Sequence, residues 1–183
     1  ALYAGSYERL WTKHYDLDAE IMDRLQNQIP GYSMRMQEVT AAMLTPQIER
    51  LEHIKNVHVE NWKLLHSLVK DHDNIEVPMP LPQVDSFCDT MQFHLVGLSR
   101  EKADQFIDVM KTEGIPMQIF GAKRNARDYR QWEYVEAHKQ ELGDTIANIE
   151  FACDLSLQPH LNQDNMRTIA QVLHDVLAYI NAQ

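Results

Sequence analysis

Two short stretches contain residue types that can bind an anion or a polar small molecule. In the first, Pro30-Gly31 ends the preceding segment of secondary structure. Ser33 and Arg35 follow, just ahead of a long helical pattern. A hydroxyl, a guanidinium group and the free N–H groups of a helix N-terminus can together hold a phosphate. The same two residues can also act as a helix N-cap and a solvated or ion-paired side chain. Local sequence favours this structural interpretation and leaves the anion site open.

The second stretch, residues 124–134, mixes basic and aromatic side chains: Arg124, Arg127, Arg130, Tyr129, Trp132 and Tyr134. One interpretation is the lining of a polar-substrate site, with Tyr129 and Trp132 as the candidate substrate contacts. The other is a surface loop that Trp132 anchors to the core.

Other patterns of catalysis or metal binding are missing from the sequence. It contains no G-x-G-x-x-G, Walker loop, H-E-x-x-H or C-x-x-C. His53 and His58 are five residues apart and do not share a helix face, so we predict no metal site. Cys88 and Cys153 are expected to be free core thiols in a reducing cytoplasm, not nucleophiles. We therefore predict no catalytic residue in this chain.

Composition argues against two classes of main partner. Of 183 residues, 44% are apolar and 24% charged, which is typical of a globular chain. The formal net charge of -10 argues against a nucleic-acid backbone or an anionic membrane surface as main partner. No apolar run is long enough to span a bilayer and no secretion signal is visible, so we expect a cytoplasmic protein.

A long helical region, residues 34–71, must position the first candidate site. Pro46 lies inside it, and Thr45 could cap a new helix with Pro46 at its first position, which predicts a kink there. Beyond the kink an apolar stripe follows a helical repeat: Ile48, Leu51, Ile54, Val59, Trp62, Leu65 and Val69.

The remainder alternates between strands and helices. Strands are predicted at residues 75–77, 90–96, 117–120 and 149–155, with an irregular polar segment at 121–145. Ser99 should cap a helix that ends at Gly114, and Asn162 should cap the last helix. The order predicts an α+β fold in which helices, one of them long and kinked, pack on a small, mostly antiparallel sheet.

Residue order also carries a family resemblance. The run Gly31-Tyr32-Ser33-Met34-Arg35-Met36, with Glu38, Ala41-Ala42 and Gln47-Ile48-Glu49-Arg50-Leu51, resembles a signature of the DegT/DnrJ/StrS aminotransferases. Residues 90–120 and the run Asp154 to Asn162 are similar to later parts of the same family, in the same order. These are fold-type I enzymes that depend on pyridoxal 5′-phosphate (PLP), and many act on nucleotide-linked keto sugars.

The resemblance implies a C-terminal portion of such an enzyme. Residues 1–30 would be a helical lead-in that continues from a missing large domain, and residues 31–183 the small domain, with the helical region 34–71 and an α/β part at 75–181. The large domain would carry the lysine that forms the Schiff base with PLP, so we expect the chain alone to be inactive and not to bind PLP. Its partners would be that domain and a second subunit of a homodimer.

The resemblance also assigns roles at the first site. Ser33 stands where the family usually has an asparagine that reaches the cofactor phosphate of the partner subunit. Arg35 matches an arginine near the dimeric active site. The parent enzyme would transfer an amino group from an amino acid donor to a keto substrate. The competing hypothesis is a non-enzymatic, acidic, helix-rich interaction domain whose apolar stripe binds a partner helix.

Overall fold

A computed structural model describes residues 36–122, 125, 128–132, 136 and 140–183. The predicted lead-in 1–30 and the candidate residues Ser33 and Arg35 lie outside them. The described part contains the helices α1 (Glu38–Ile48), α2 (Leu51–Val69), α3 (Arg100–Thr112), α4 (Gly143–Phe151) and α5 (Gln163–Asn181), the strands β1 (Ile75–Glu76), β2 (Thr90–Leu95), β3 (Met117–Ile119) and β4 (Ala152–Ser156), and a 3-10 turn at Tyr129–Gln131.

The four strands form one sheet in the order β1-β2-β4-β3, and every pairing is antiparallel. The central pair, β2 and β4, sets Phe93 opposite Cys153, and β3 sets Met117 opposite Leu155. Both edge strands are short, with two residues in β1 and three in β3. The α+β class and the antiparallel sheet predicted from sequence are confirmed.

The core lies between one face of the sheet and three helices. Met91, Phe93 and Leu95 alternate along β2 and are all buried, as a period of two requires. Helix α5 packs against α2 and α3, and α3 also packs against β3. The apolar repeat of α5 supplies the largest share of buried helical side chains: Met166, Ile169, Ala170, Leu173, Val176, Leu177 and Ile180.

Helix ends follow the predicted capping in the second half of the chain. The Ser99 hydroxyl accepts a hydrogen bond of 3.3 Å from the Lys102 N–H, and Asn162 and Asn165 form a reciprocal capping box. Gly114 ends α3 with a φ of +82°, a backbone conformation that favours glycine.

The helical region 34–71 differs from its prediction in two places: the start of α1 and the position of the break after it. The helix begins at Glu38 with Gln37 as its N-cap, so the N-cap expected at Ser33 is wrong for this helix. Pro46 lies inside α1, and the Thr45 hydroxyl donates to the Ala41 carbonyl, 2.9 Å away, instead of capping a new helix. The break comes later, at residues 49–50 between α1 and α2, where the Arg50 N–H donates to the Gln47 carbonyl at 3.1 Å.

The apolar stripe of α2 is only half buried. The buried face consists of His58, Asn61, Leu65 and Val69, and the Asn61 amide donates to the Leu161 carbonyl at 2.8 Å. Upstream, Ile48 and Leu51 are 68% and 51% exposed. The stripe therefore meets the core only along its C-terminal half, where α5 lies against it.

The prediction places the start of the last strand too early, at residue 149. Residues 149–151 are the last turn of α4, and the strand β4 starts at Ala152. Tertiary contacts fix this helix end: the Arg100 guanidinium donates to the Glu150 carbonyl at 3.0 Å, and the Gly121 N–H donates to the Ile149 carbonyl at 2.8 Å. The close approach needs glycine at 121, since a Cβ there would lie 2.9 Å from the Ile149 oxygen.

Candidate functional site

The polar segment after β3 is built on a buried asparagine. Asn125 is 5% exposed, and its side-chain amide donates to the Ile119 carbonyl at 2.9 Å. Its backbone N–H donates to the Ala122 carbonyl at 3.0 Å. These bonds fold the chain back against the end of β3, so the residues that follow are held at the sheet edge.

A charged pair comes next. The Asp128 carboxylate is buried and accepts from the Arg130 backbone N–H at 3.0 Å, from its Nε at 2.9 Å and from its Nη2 at 2.6 Å. The hydrogen bond to Asp128 raises the pKa of Arg130, although partial burial opposes this. The Arg130 side chain keeps 40% of its area exposed, so a cation fixed by a buried carboxylate faces solvent here.

The two predicted substrate contacts lie close together along this segment but in different environments. Tyr129 is 7% exposed, and its hydroxyl donates to the Gln140 carbonyl at 2.9 Å and accepts from the Leu142 N–H at 3.2 Å. Trp132 is half-buried, and its backbone N–H donates to the Tyr129 carbonyl at 3.0 Å. The Tyr129 hydroxyl thus joins the 3-10 turn to the start of α4, and a substrate contact from either residue stays a prediction.

The first candidate site adjoins a helix with an unusual surface. Ser33 and Arg35 lie outside the described residues and precede the Gln37 N-cap, whose side chain makes no capping bond. Helix α1 has no buried residue, although much of it is apolar. Its exposed apolar side chains are Val39 at 70%, Met43 at 67%, Leu44 at 42% and Ile48 at 68%, and Met36, just before the helix, is 64% exposed.

None of the described lysines has the environment that a Schiff-base lysine for PLP requires. Such a lysine is desolvated with a depressed pKa, whereas the described lysines are all at least partly exposed. The hydrogen bond to Asp85 instead raises the pKa of Lys55. Burial raises the pKa of the Cys153 thiol to about 12, which makes it a poor nucleophile. Within the described ranges, no three metal-ligating side chains come together.

Sequence reasoning identified the aromatic residues of this segment but missed the buried polar ones. Asn125 and Asp128 were not predicted to be buried, and Arg130 was named as a basic residue of the segment but not as a candidate contact. A usable signal was the Asp-x-Arg spacing, because an aspartate can accept from the backbone N–H two residues later. Helices in the described part are not long and apolar enough to cross a membrane.

Comparisons with known proteins place the fold. A model of the DegT/DnrJ/EryC1/StrS aminotransferase family matches residues 8–174. No curated protein matches the chain. Among solved structures, 3-amino-5-hydroxybenzoic acid synthase is 22% identical with a TM-score of 0.63, over 83% of this chain and 41% of that one.

Two further structures are similar. The apo form of the putative sugar aminotransferase Spr1654 from Streptococcus pneumoniae has a TM-score of 0.66 at 16% identity, over 93% of this chain and 47% of its own. Helicobacter pylori PseC, an aminotransferase involved in the biosynthesis of pseudoaminic acid, has a TM-score of 0.66 at 15% identity, over 81% and 39%. At these identities the likeness concerns the fold, and this chain spans less than half the length of each structure.

Proposed function

Because this chain belongs to the DegT/DnrJ/EryC1/StrS aminotransferase family, we propose that it forms the C-terminal portion of a PLP-dependent aminotransferase. The active enzyme needs a large domain, which carries the cofactor lysine, and a second subunit. Another form of Spr1654 is a PLP form, which supports PLP as the cofactor of the parent. The chain by itself would neither retain PLP nor transfer amino groups.

The exposed apolar surface of α1 carries this proposal. A surface helix of a globular protein normally packs its apolar face on the core and shows its polar face to solvent. Helix α1 instead exposes apolar side chains and buries none. Covering Val39, Met43 and Ile48, each about two-thirds exposed, would stabilise an assembly by roughly 1–2 kcal/mol per side chain. A large domain packed on α1 would supply that cover beside Ser33 and Arg35.

In the proposed enzyme, the chain supplies binding groups more than reactive ones. Were PLP bound, Ser33 would donate a hydrogen bond to the cofactor phosphate of the neighbouring subunit, and Arg35 would add a positive charge nearby. Trp132 and the edge of the Tyr129 ring would line the path of the keto substrate, for which a nucleotide-linked sugar is the candidate. We place the enzyme in the cytoplasm, because Cys88 and Cys153 are free thiols.

The decisive experiment uses the polypeptide encoded by the complete reading frame that contains this chain. After dialysis it should keep an absorbance band of protein-bound PLP, and it should transfer an amino group from glutamate or another donor to a keto acceptor. The 183-residue chain, treated identically, should show neither property. A complete polypeptide without bound PLP would refute the proposal and leave the interaction-domain hypothesis.

The role of Ser33 has a separate test in the same polypeptide. Replacing Ser33 by alanine removes a hydrogen bond to a charged group, worth about 1.5–3 kcal/mol, so the dissociation constant for PLP should rise by about tenfold or more. Ser67→Ala is the matched control, because the exposed Ser67 hydroxyl donates to the Leu64 carbonyl within α2. Equal PLP affinity in both variants would remove Ser33 from the cofactor site.

A further inference from the structure

We propose that the groove between α3 and α5, called here the α3–α5 groove, is a docking surface for a basic amphipathic helix of a partner protein. The groove is made by residues other than α1 and the polar segment. The proposal therefore stands independently of the cofactor assignment.

The groove consists of two adjoining cavities of about 370 Å³ each. Both cavities are lined by Glu113, just after α3, and by Val172 of α5, which makes them continuous. At one end the Gln105 and Gln183 side chains meet at 2.9 Å, and further along Glu113 lines the same cavities as Val172, so the two helices run antiparallel. A long cleft between two antiparallel helices suits a third helix, which would lay its apolar face into the cleft.

The floor of the groove is apolar and its side is aromatic. Val109 from α3 faces Val172 and Val176 from α5, and these valines belong to or pack against the core. Tyr179 lines the same cavity with 54% of its area exposed. A large exposed tyrosine beside an apolar floor is a typical anchor at protein interfaces, where it buries area at low entropic cost.

Charge selects the partner. The charged residues described along the groove are Glu113 and Asp175, both exposed and both acidic, with His160 at the far end. The Asp175 carboxylate accepts from the neutral Gln171 amide at 2.9 Å, a bond that brings no opposite charge to it. With a formal net charge of -10 on the whole chain, lysine or arginine beside the inserted apolar residues would be attracted and acidic partners repelled.

The test uses the intact chain labelled with ¹⁵N and a short helical peptide of leucine and lysine as probe. Amide shifts on titration should concentrate at Val109, Glu113, Val172, Val176 and Tyr179. The double variant Glu113→Gln/Asp175→Asn should weaken binding by about tenfold, because each exposed charge pair contributes a modest share. The control Glu76→Gln/Glu101→Gln removes two exposed acidic charges elsewhere and should bind with unchanged affinity.

Three outcomes would overturn the proposal. One is a set of shifts that falls on α1 or spreads over the whole surface. Another is equal weakening in the groove variant and in the control, which would mean attraction to net charge alone. The third is a change in groove resonances with protein concentration and without peptide, which would make the occupant a second copy of this chain.

Discussion

Replacing Tyr129 by phenylalanine removes one oxygen atom and leaves the ring in place. That oxygen makes two hydrogen bonds, to the Gln140 carbonyl at 2.9 Å and from the Leu142 N–H at 3.2 Å, and the tyrosine is 7% exposed. Both partner residues are exposed, so water can replace part of the loss. We therefore expect the free energy of unfolding to fall by about 1–2 kcal/mol, which lowers Tm by about 2–8 °C in a chain of this length.

Urea unfolding followed by circular dichroism measures this change. Tyr179→Phe is the matched control, because Tyr179 is 54% exposed and its variant should stay within about 0.5 kcal/mol of the original chain. If Tyr129→Phe were as stable as the control, the hydroxyl would not hold the 3-10 turn to α4. The argument that Tyr129 positions this segment would then be wrong, and its hydroxyl would be available to a substrate.

Three other perturbations test separate parts of the structure. Gly121→Ala should destabilise the chain by about 1–3 kcal/mol in the same assay, because its Cβ would meet the backbone of the last α4 turn at 2.9 Å; a neutral effect would contradict this packing. Desolvation, followed by the charge of His174, lowers the pKa of His72, so the unfolded chain binds more protons and stability should fall from about pH 7.5 to pH 5.5. His72→Asn should make the stability less dependent on pH, as measured by urea midpoints across this pH range. An unchanged pH dependence would mean that other groups cause it. Cys88 is partly exposed and Cys153 is buried with its pKa raised to about 12, so a thiol reagent should label one site in the native chain and two in denaturant; native labelling that survives Cys88→Ser would contradict this difference in burial.

Regular elements were predictable where a local signal and the core agreed. The spacing of apolar residues from Met166 to Ile180 and the Asn162 cap defined α5, and the alternation along β2 defined its buried face. In both elements a single period decides which side chains enter the core, so sequence alone suffices.

Two of the errors occurred where distant residues decide the outcome. The boundary between α4 and β4 depends on Arg100 and Gly121, which are far away in sequence and bond to the last α4 turn. The burial of Asp128 depends on a fold of the chain that Asn125 secures, and neither has an apolar pattern. The spacing of apolar residues along the chain does not report contacts between residues that are distant in sequence. The candidate site depends on such contacts more than the core does, so it was harder to predict.

The two short edge strands also determine how the sheet can associate. Strand β1 has two residues and is followed closely by Pro78, and β3 has three residues and comes directly after Pro116. A proline has no N–H for a ladder, and such short strands give an incoming strand almost no template. The sheet is therefore protected from strand addition and from edge-to-edge aggregation. The apolar surface of α1 is helical, so a partner that covers it would gain no strand edge for amyloid-like growth.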